Sequence, residues 1–347
     1  MSSFEKNLSE GNVAKQLVLF SLPFLASNII QSLYSVADML IVGRFSGTTS
    51  MSGVNLGSQV TLILTNIVVG LCAGGTVLIA QYLGAKRRKD MQETTATLLT
   101  TLTIAAVAIT VLMLILKKPI LHLIQTPAES FAEADRYLTV TVLGLIFIFG
   151  YNVFSAVMRG MGDSKRPLYF VLIACITNVI LDLVLVAGLK MGALGAAIAT
   201  VFSQAVSMIL CMIHLMKKGT IYQVELKKLH IDREMLGQIV RYGLPSGVQN
   251  SVIGFANVIV QSNINSFGKV AMAAYGAYSK LEGFAFLPVT SFTMALTTFV
   301  GQNLGAGLHD RAKKGSRFGI IASVVIAEII GVTMYLLAPQ LVALFSP

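Results

Sequence analysis

Residues 16–40 read QLVLFSLPFLASNIIQSLYSVADML, an apolar run that carries one acidic residue, Asp38. A helix needs ~20 predominantly apolar residues to cross the hydrocarbon core of a bilayer. Eight further runs qualify, at 53–80, 93–116, 137–158, 167–189, 192–216, 240–264, 270–299 and 316–337. Backbone groups in lipid must be satisfied internally, and the alternating pattern of a membrane barrel is absent. We therefore predict an all-α, polytopic membrane protein with nine transmembrane helices.

The composition of the 347 residues agrees with a chain embedded in lipid. Hydrophobic residues make up 55% and charged residues 12% of the sequence, whereas soluble domains carry about 25% charged residues. The net charge is +10, but Lys and Arg lie in short clusters between apolar runs, without a basic stripe or an aromatic platform. This distribution argues against a nucleic-acid partner and is typical of loops that orient membrane helices.

Alternate connections between the spans differ strongly in their content of Lys and Arg. The richer set comprises Lys6 and Lys15 and the segments 86–89, 159–166, 217–233 and 311–317. Loops rich in Lys and Arg stay in the cytoplasm. The predicted location is therefore the cell (inner) membrane, crossed many times, with a cytoplasmic N-terminus.

The two ends of the chain resemble each other, which indicates an internal repeat. SLP at 21–23 returns as GLP at 243–245, and QYLGA at 81–85 returns as QNLGA at 302–306. Six spans separate equivalent positions, so both halves have the same orientation and are related by an axis along the membrane normal. We predict an N-terminal lobe of six helices at 1–217, a cytoplasmic linker at 218–235, and a C-terminal lobe at 236–347 containing three helices.

Beyond the first two positions of each predicted span, five Asp, Glu, Lys or Arg side chains lie within the spans, where charge is costly and a functional role is the default hypothesis: Asp38, Asp182, Lys280, Glu282 and Glu328. Lys280 and Glu328 have matching predicted depths, whereas Lys280 and Glu282 face different ways because they are two residues apart. This set either neutralises itself as a buried pair or lines a cleft.

The acids of the first half share helical faces with other polar groups. Gln31, Tyr34 and Asp38 have the spacing of one face, and so do Asn178 and Asp182. At ~1.5 Å rise per residue, Asp38, Asp182 and the hydroxyl of Thr200 all reach the outer half of the membrane. Two neighbouring carboxylates in a low dielectric hold a proton or share a cation. The alternative is that both acids only stabilise the lobe through hydrogen bonds.

Four stretches together resemble the multidrug and toxic compound extrusion (MATE) family, over essentially the whole chain. They are LPFLASNIIQSLYSVADMLIVGRFSG (22–47), RGMGDSKRP (159–167), TNVILDLVLV (177–186) and GALGAAIATVFSQ (192–204). The resemblance implies two six-helix lobes facing across a central cleft, and exchange of H⁺ or Na⁺ for cationic, amphipathic drugs. Because the family has twelve helices, the resemblance implies three more helices beyond Pro347. It also implies that helix one bends at Pro23 during transport, whereas the alternative is a static kink at this proline.

The resemblance also implies a coupling-ion site in the first lobe, formed by Asp38, Asp182, Asn178, Thr200, Tyr34 and Gln31, with Na⁺ as one candidate ion at the first four. The seventh span, GLPSGVQNSVIGFANVIV, has no acid, so a coupling site of the type that another branch of the family has there is not expected. The protein is expected to be a monomer, to need no cofactor besides the coupling ion, and not to be an enzyme. The glycines at 160 and 162 do not indicate a nucleotide site, because the sequence has no P-loop or Rossmann context.

Two other functions stay open at this level. A flippase for lipid-linked sugars would need buried basic residues to hold pyrophosphate, and the N-terminal half is predicted to have none. A non-transporting membrane receptor would not need an internal repeat with acids buried in one lobe. Efflux of a dye driven by an ion gradient separates these classes.

Overall fold

The computed structural model describes residues 6–217, 229–265, 267–338 and 340, and its regular structure there is helical. The helices, in chain order, are α1 (Val13–Gly84), α2 (Arg88–Leu123), α3 (Ala128–Leu143), α4 (Leu145–Gly160), α5 (Lys165–Asp182), α6 (Gly192–Met216), α7 (Arg233–Asn265), α8 (Lys269–Gly305) and α9 (His309–Leu336). Six helical segments among these residues are long and apolar enough to cross a membrane, and the bent pair α3–α4 makes a seventh. The predicted all-α membrane fold is confirmed.

The first two predicted spans are the two arms of α1, which is broken at one residue. Gly47 has φ +79° and ψ 178°, outside the helical range. Glycine adopts positive φ without a steric penalty, and a Cβ at Gly47 would meet nothing within 4 Å. The chain reverses here, so we call residues 13–46 arm α1a and residues 48–84 arm α1b.

Three predicted boundaries differ from the structure. The span predicted at 137–158 is two helices, α3 and α4, bent by 51° at a break, and Gly144 is the residue between them. The span predicted to end at 189 leaves α-helical geometry after Asp182 and continues as a π-helix over Leu183–Gly188. The linker predicted to end at 235 ends at Asp232, because α7 begins at Arg233; linker residues 218–228 lie outside the described residues.

The repeat is visible in how the two halves begin. Asn12 precedes α1, and its side chain accepts a hydrogen bond from the backbone N of Lys15 at 3.0 Å. Asp232 precedes α7 and accepts one from the backbone N of Met235 at 2.9 Å. An acceptor side chain at this position satisfies an amide that has no partner inside the helix. Equivalent capping therefore defines the start of both halves.

The repeated motifs also contact each other across the two halves. A Cβ on Gly84 would collide with the carbonyl oxygen of Gln302, and a Cβ on Gly305 would collide with that of Gln81. Reciprocal contacts between equivalent residues are what a pseudo-twofold axis produces. Both motifs end a helix next to a basic connection, and we call this end of the molecule the basic end.

Close contacts between the two lobes lie in the half of the molecule next to the basic end. Arm α1b packs on α7 through glycines, because a Cβ on Gly74 would lie 2.6 Å from the backbone N of Gly243. Arm α1a packs on α8 through large side chains, including buried Phe20 and Phe299. Deeper in the bundle, the amide of Asn28 donates to the hydroxyl of Ser291 at 2.9 Å. The cleft is therefore closed at the basic end.

Gly74→Ala is expected to destabilise this closed arrangement, since the added methyl has no space between α1b and α7. Overpacking of this kind costs about 1–3 kcal/mol. Gly237→Ala is the matched control, because a Cβ at Gly237 in α7 would meet nothing within 4 Å and alanine favours a helix by ~1 kcal/mol. In detergent, the midpoint of thermal unfolding should be lower than wild type for Gly74→Ala but not for Gly237→Ala. Equal midpoints for the two variants would mean that the interface between α1b and α7 accommodates the added methyl group.

Candidate functional site: a carboxyl pair inside the first lobe

Asp38 of α1a and Asp182 of α5 lie close enough for their carboxyl groups to hydrogen-bond to each other. Asp182 is fully buried, at 0% exposure, and Asp38 is half-buried. In each acid, Oδ1 is buried without a hydrogen-bond partner among the described residues. Two such carboxylates cannot both be charged without a large penalty, so a proton or a cation belongs between them.

Asn178 and Thr200 lie beside the pair. With the amide turned to suit its neighbours, Asn178 Nδ2 donates to Asp182 Oδ2 at 2.9 Å, and Asn178 Oδ1 accepts from the backbone N of Thr200 at 3.3 Å. The spacing of Asn178 and Asp182 places both on one face of α5, next to α6, where Thr200 lies. The structure thus brings together four of the predicted residues: Asp38, Asp182, Asn178 and Thr200.

Tyr34 and Gln31 precede Asp38 in α1a by about one and two helical turns. They line a cavity of about 30 Å³ inside the lobe, together with Tyr151, Cys175, Asn178 and the polar side chains Ser203, Gln204 and Ser207. A cavity of this size with several polar partners has room for a water molecule. Gln31 and Tyr34 therefore adjoin the carboxyl pair through Asn178.

Asp38 also faces a second, larger space. A cavity of about 310 Å³ lies between the two arms of α1, and Asp38 forms part of its wall. The other lining side chains are both polar and apolar: Ser35, Met39, Val42, Met51, Val54, Asn55, Ser58, Gln59 and Leu62. The arms of α1 are the elements that face the C-terminal lobe, so Asp38 connects the interior of the first lobe with the cleft side.

Tyr137 of α3 is a member of the site that the sequence did not reveal. It is 4% exposed; its hydroxyl accepts from Ser58 Oγ at 3.0 Å and lies within hydrogen-bonding reach of Thr200. Both acids act electrostatically on it. Tyrosine at the first position of a predicted span resembles an interfacial anchor, so only the tertiary fold shows that it points inward.

Pro23 lies in the middle of α1a, in continuous helix, and is buried. Proline has no amide hydrogen and so removes one helical hydrogen bond. The hydroxyl of Ser27 donates to the carbonyl oxygen of Pro23 at 2.9 Å. The bending role of Pro23 stays a prediction.

Of the three charges predicted in the second lobe, the structure describes the side chains of Glu282 and Glu328. Glu282 is half-buried and accepts from the hydroxyl of Tyr278 at 3.2 Å, beside a mostly apolar cavity of about 280 Å³ between α8 and α9. Glu328 is exposed on α9. The side chain of Lys280 lies outside the described part of the structure, and so does its predicted pairing with Glu328.

One prediction about charge in the first lobe is wrong. Arg159 was expected in a turn, but α4 continues to Gly160, and the guanidinium folds back to donate from Nη1 to Ser155 Oγ at 2.7 Å. Its side chain is partly buried, and Tyr151, Cys72 and Cys211 act on it electrostatically. Long side chains in helices point toward the preceding turn, so the last basic residue of a helix can enter the lobe. The N-terminal half therefore does have a partly buried cation.

A family model described as MatE matches residues 23–184 and 245–347. The chain is 29% identical over 344 residues to the probable multidrug resistance protein YoeA of Bacillus subtilis, covering 97% of this chain and 74% of that protein. It is 27% identical over 345 residues to the probable multidrug resistance protein NorM of Thermotoga maritima, covering 96% and 72%.

A crystal structure of a MATE transporter in complex with MaD5 superposes with a TM-score of 0.93 at 25% identity, covering 100% of this chain and 79% of that one. Two other crystal structures show a MATE protein in conformations described as bent and straight. The similarity thus extends over both lobes of the fold. The chain is a multi-pass membrane protein that belongs to the MatE family, whose relatives are named as multidrug efflux transporters.

Proposed function

We propose that this chain is an antiporter that exports cationic, amphipathic molecules in exchange for a cation bound by Asp38 and Asp182. The observation that carries the proposal is the carboxyl pair, which is buried in the membrane-spanning part and has one unpartnered oxygen on each acid. Intramembrane acids of this kind commonly mark ion pathways. A purely structural pair would be expected to have all its oxygens satisfied.

The geometry favours H⁺ over Na⁺ as the coupling ion. Two carboxyl groups as close as Asp38 and Asp182 can share a single proton in a hydrogen bond between them. Asn178 directs its N–H, not its carbonyl oxygen, toward Asp182, whereas a sodium ion requires oxygen ligands.

The cavity between the arms of α1 suits an amphipathic cation. It combines the acid Asp38 with apolar and flexible side chains, including Met39 and Met51. Methionine adapts its shape to different partners, and an acid at the wall of an apolar cavity favours a positive charge over a negative one. A cation that enters this cavity would compete with the coupling proton at Asp38.

We infer alternating access, and the position of the contacts between the lobes supports it. The contacts through Gly74, Gln81 and Gln302 close the basic end, which we place on the cytoplasmic side by its content of Lys and Arg. Loading from the cytoplasm then requires these contacts to separate, so the two lobes would rock about the pseudo-twofold axis.

Purified protein in liposomes tests the substrate and the ion together. An imposed proton gradient is expected to drive accumulation of a cationic dye, and a protonophore should abolish it, whereas a sodium ionophore should not. Dependence on a sodium gradient alone would contradict the choice of ion, and the absence of gradient-driven dye movement would contradict antiport.

The flippase alternative gains one observation, the partly buried Arg159. Its guanidinium adjoins Tyr151, which also lines the small cavity of the first lobe. A flippase would translocate a fluorescent lipid carrying a pyrophosphate, with no response to the cationic dye. We expect the reverse, because Asp38 and not Arg159 lines the larger cavity.

A further inference from the structure

The segment before α1, residues 6–11, is held inside the closed basic end. Leu8 is 0% exposed and packs in the apolar cluster between α1a and α8 that contains Leu17, Phe20 and Phe299. Chain termini are usually poorly ordered unless specific contacts hold them. The burial of Leu8 therefore needs an explanation in its contacts.

The backbone of Leu8 is bound on both sides by the second copy of the repeated motif. Its N–H donates to Gln302 Oε1 at 3.0 Å, and its carbonyl oxygen accepts from Asn303 Nδ2 at 3.2 Å. Asn303 is fully buried and also donates to the carbonyl oxygen of Phe299 at 2.8 Å. The segment belongs to the first lobe by chain connection, yet both backbone hydrogen bonds of Leu8 go to the second lobe.

Arg311 of α9 is the main contact. It donates from Nη1 to the carbonyl oxygen of Gly11 at 2.6 Å and from Nη2 to that of Glu10 at 2.6 Å. Nη2 and Nε also approach the carbonyl oxygen of Leu8 at 3.2 and 3.4 Å. The guanidinium lies over the ring of Phe299, 5.5 Å from its centroid. Among the described residues no carboxylate lies within ion-pair distance of Arg311, so its donors serve these three carbonyls.

The same segment touches the first lobe at one turn. The backbone N of Lys6 donates to the carbonyl oxygen of Gly162 at 3.2 Å. Gly162 has φ +81°, and a Cβ there would lie 2.6 Å from the carbonyl oxygen of Lys6 and 3.0 Å from Gln302 Nε2. Residues 6–11 thus run through a narrow gap between the turn after α4 and the end of α8.

The described residues of the other half of the repeat, which before α7 begin only at 229, show a different pairing. Asp90 has the position in α2 that Arg311 has in α9, and it pairs with its neighbour Arg87 at 2.7 Å. The segment before α7 makes a neutral bond instead, from the backbone N of Asp232 to Thr97 Oγ1 at 3.0 Å. At the position equivalent to Arg311, the first half therefore has an acid that pairs within its own helix end.

We propose that residues 6–11 are a latch, held by Arg311, that keeps the basic end closed and must detach from Arg311 each time this end opens. The latch is continuous with α1a, whereas Arg311, Gln302 and Asn303 move with the second lobe, so separation of the lobes breaks their bonds. Gly11 has φ +74° and offers a hinge at the junction with α1. This proposal rests on the alternating access proposed above.

Thiol labelling tests the latch directly. Leu8→Cys is made in a background in which Cys72, Cys175 and Cys211 are replaced, and its rate of reaction with a polar maleimide is measured in liposomes. The rate should be slow at rest and should rise at least about tenfold when Arg311→Ala is added, because a buried thiol reacts only after opening. Arg317→Ala, which removes an exposed basic residue of the same helix, should leave the rate unchanged.

Two further measurements separate a latch from a merely structural contact. Arg311→Lys should not restore slow labelling, because one ammonium group lacks the planar fork that reaches three carbonyls. Labelling of Leu8→Cys should also accelerate during turnover with dye and gradient. Labelling that ignores Arg311→Ala, or that is no faster during turnover, would overturn the latch.

The experiment keeps the latch and the proposed function distinguishable. Lys89→Cys, at a side chain 88% exposed, serves as a reference that reacts quickly in every state and reports correct insertion. An Asp38→Asn background stops coupled export but leaves the Arg311 contacts in place, so Arg311→Ala should still raise labelling there. If Arg311→Ala no longer raised the labelling of Leu8→Cys in the Asp38→Asn background, the latch would not depend on Arg311 alone. That result would count against the proposed latch.

Discussion

Asp38→Asn is expected to abolish gradient-driven dye export while the protein still folds and binds dye. Asparagine has nearly the same shape and can hydrogen-bond to Asp182, but it cannot exchange a proton, so the pair becomes a single acid. Since a single acid cannot release and rebind the shared proton, gradient-driven export should fall to the background rate of liposomes without protein. Asp182→Asn should have a similar effect, because the proton belongs to the pair and not to either acid.

The matched control is Glu129→Gln, which neutralises an exposed acid in the first turn of α3. Dye accumulation in liposomes under an imposed proton gradient is the measurement, with dye binding in detergent as the check on folding. Export by Asp38→Asn at the rate of Glu129→Gln would remove the carboxyl pair from the mechanism.

Joining Ala80 and Gly301 by a disulfide is expected to stop transport completely and reversibly. A Cβ on Gly301 would lie 2.8 Å from the Cβ of Ala80, across the interface between α1b and α8. Disulfides need a Cβ separation of about 3.8 Å, so a shift of ~1 Å allows the bond. Once formed, it holds the basic end closed and prevents loading from that side.

The double variant Ala80→Cys with Gly301→Cys is tested without the three native cysteines, before and after mild oxidation and again after reduction. Each single variant should transport under both conditions, which controls for the loss of glycine. Continued transport by the oxidised, cross-linked protein would show that the lobes need not separate here, and alternating access by rocking would fail.

The spans were predictable because each is a long apolar run, and every predicted span coincides with helix in the structure. The sequence does not show where such runs bend. Gly144 lies within an apolar run like many glycines of this chain, yet the chain bends at this position because α3 and α4 pack in different directions. The sequence also does not show that the first two spans meet directly at Gly47, since only backbone dihedral angles reveal it.

The carboxyl pair was foreseeable for a physical reason. Acids inside apolar spans are rare, and helical spacing placed Asp182 beside Asn178. Tyr137 and Arg159 were missed, because each lies at the end of a span, where sequence alone does not distinguish an inward from an outward side chain. The latch was invisible for another reason: residues 6–11 have no apolar periodicity, and their partners lie almost 300 positions later, as the bond from Leu8 to Gln302 shows.

The most direct test of ion coupling at Asp38 and Asp182 runs the exchange in reverse. Liposomes are loaded with cationic dye without any imposed ion gradient, and an internal pH indicator follows proton movement as the dye leaves through the protein. Wild-type protein should acidify the interior in step with dye exit, whereas Asp38→Asn should release dye with no pH change. Equal acidification by both proteins would contradict a coupling role for the pair.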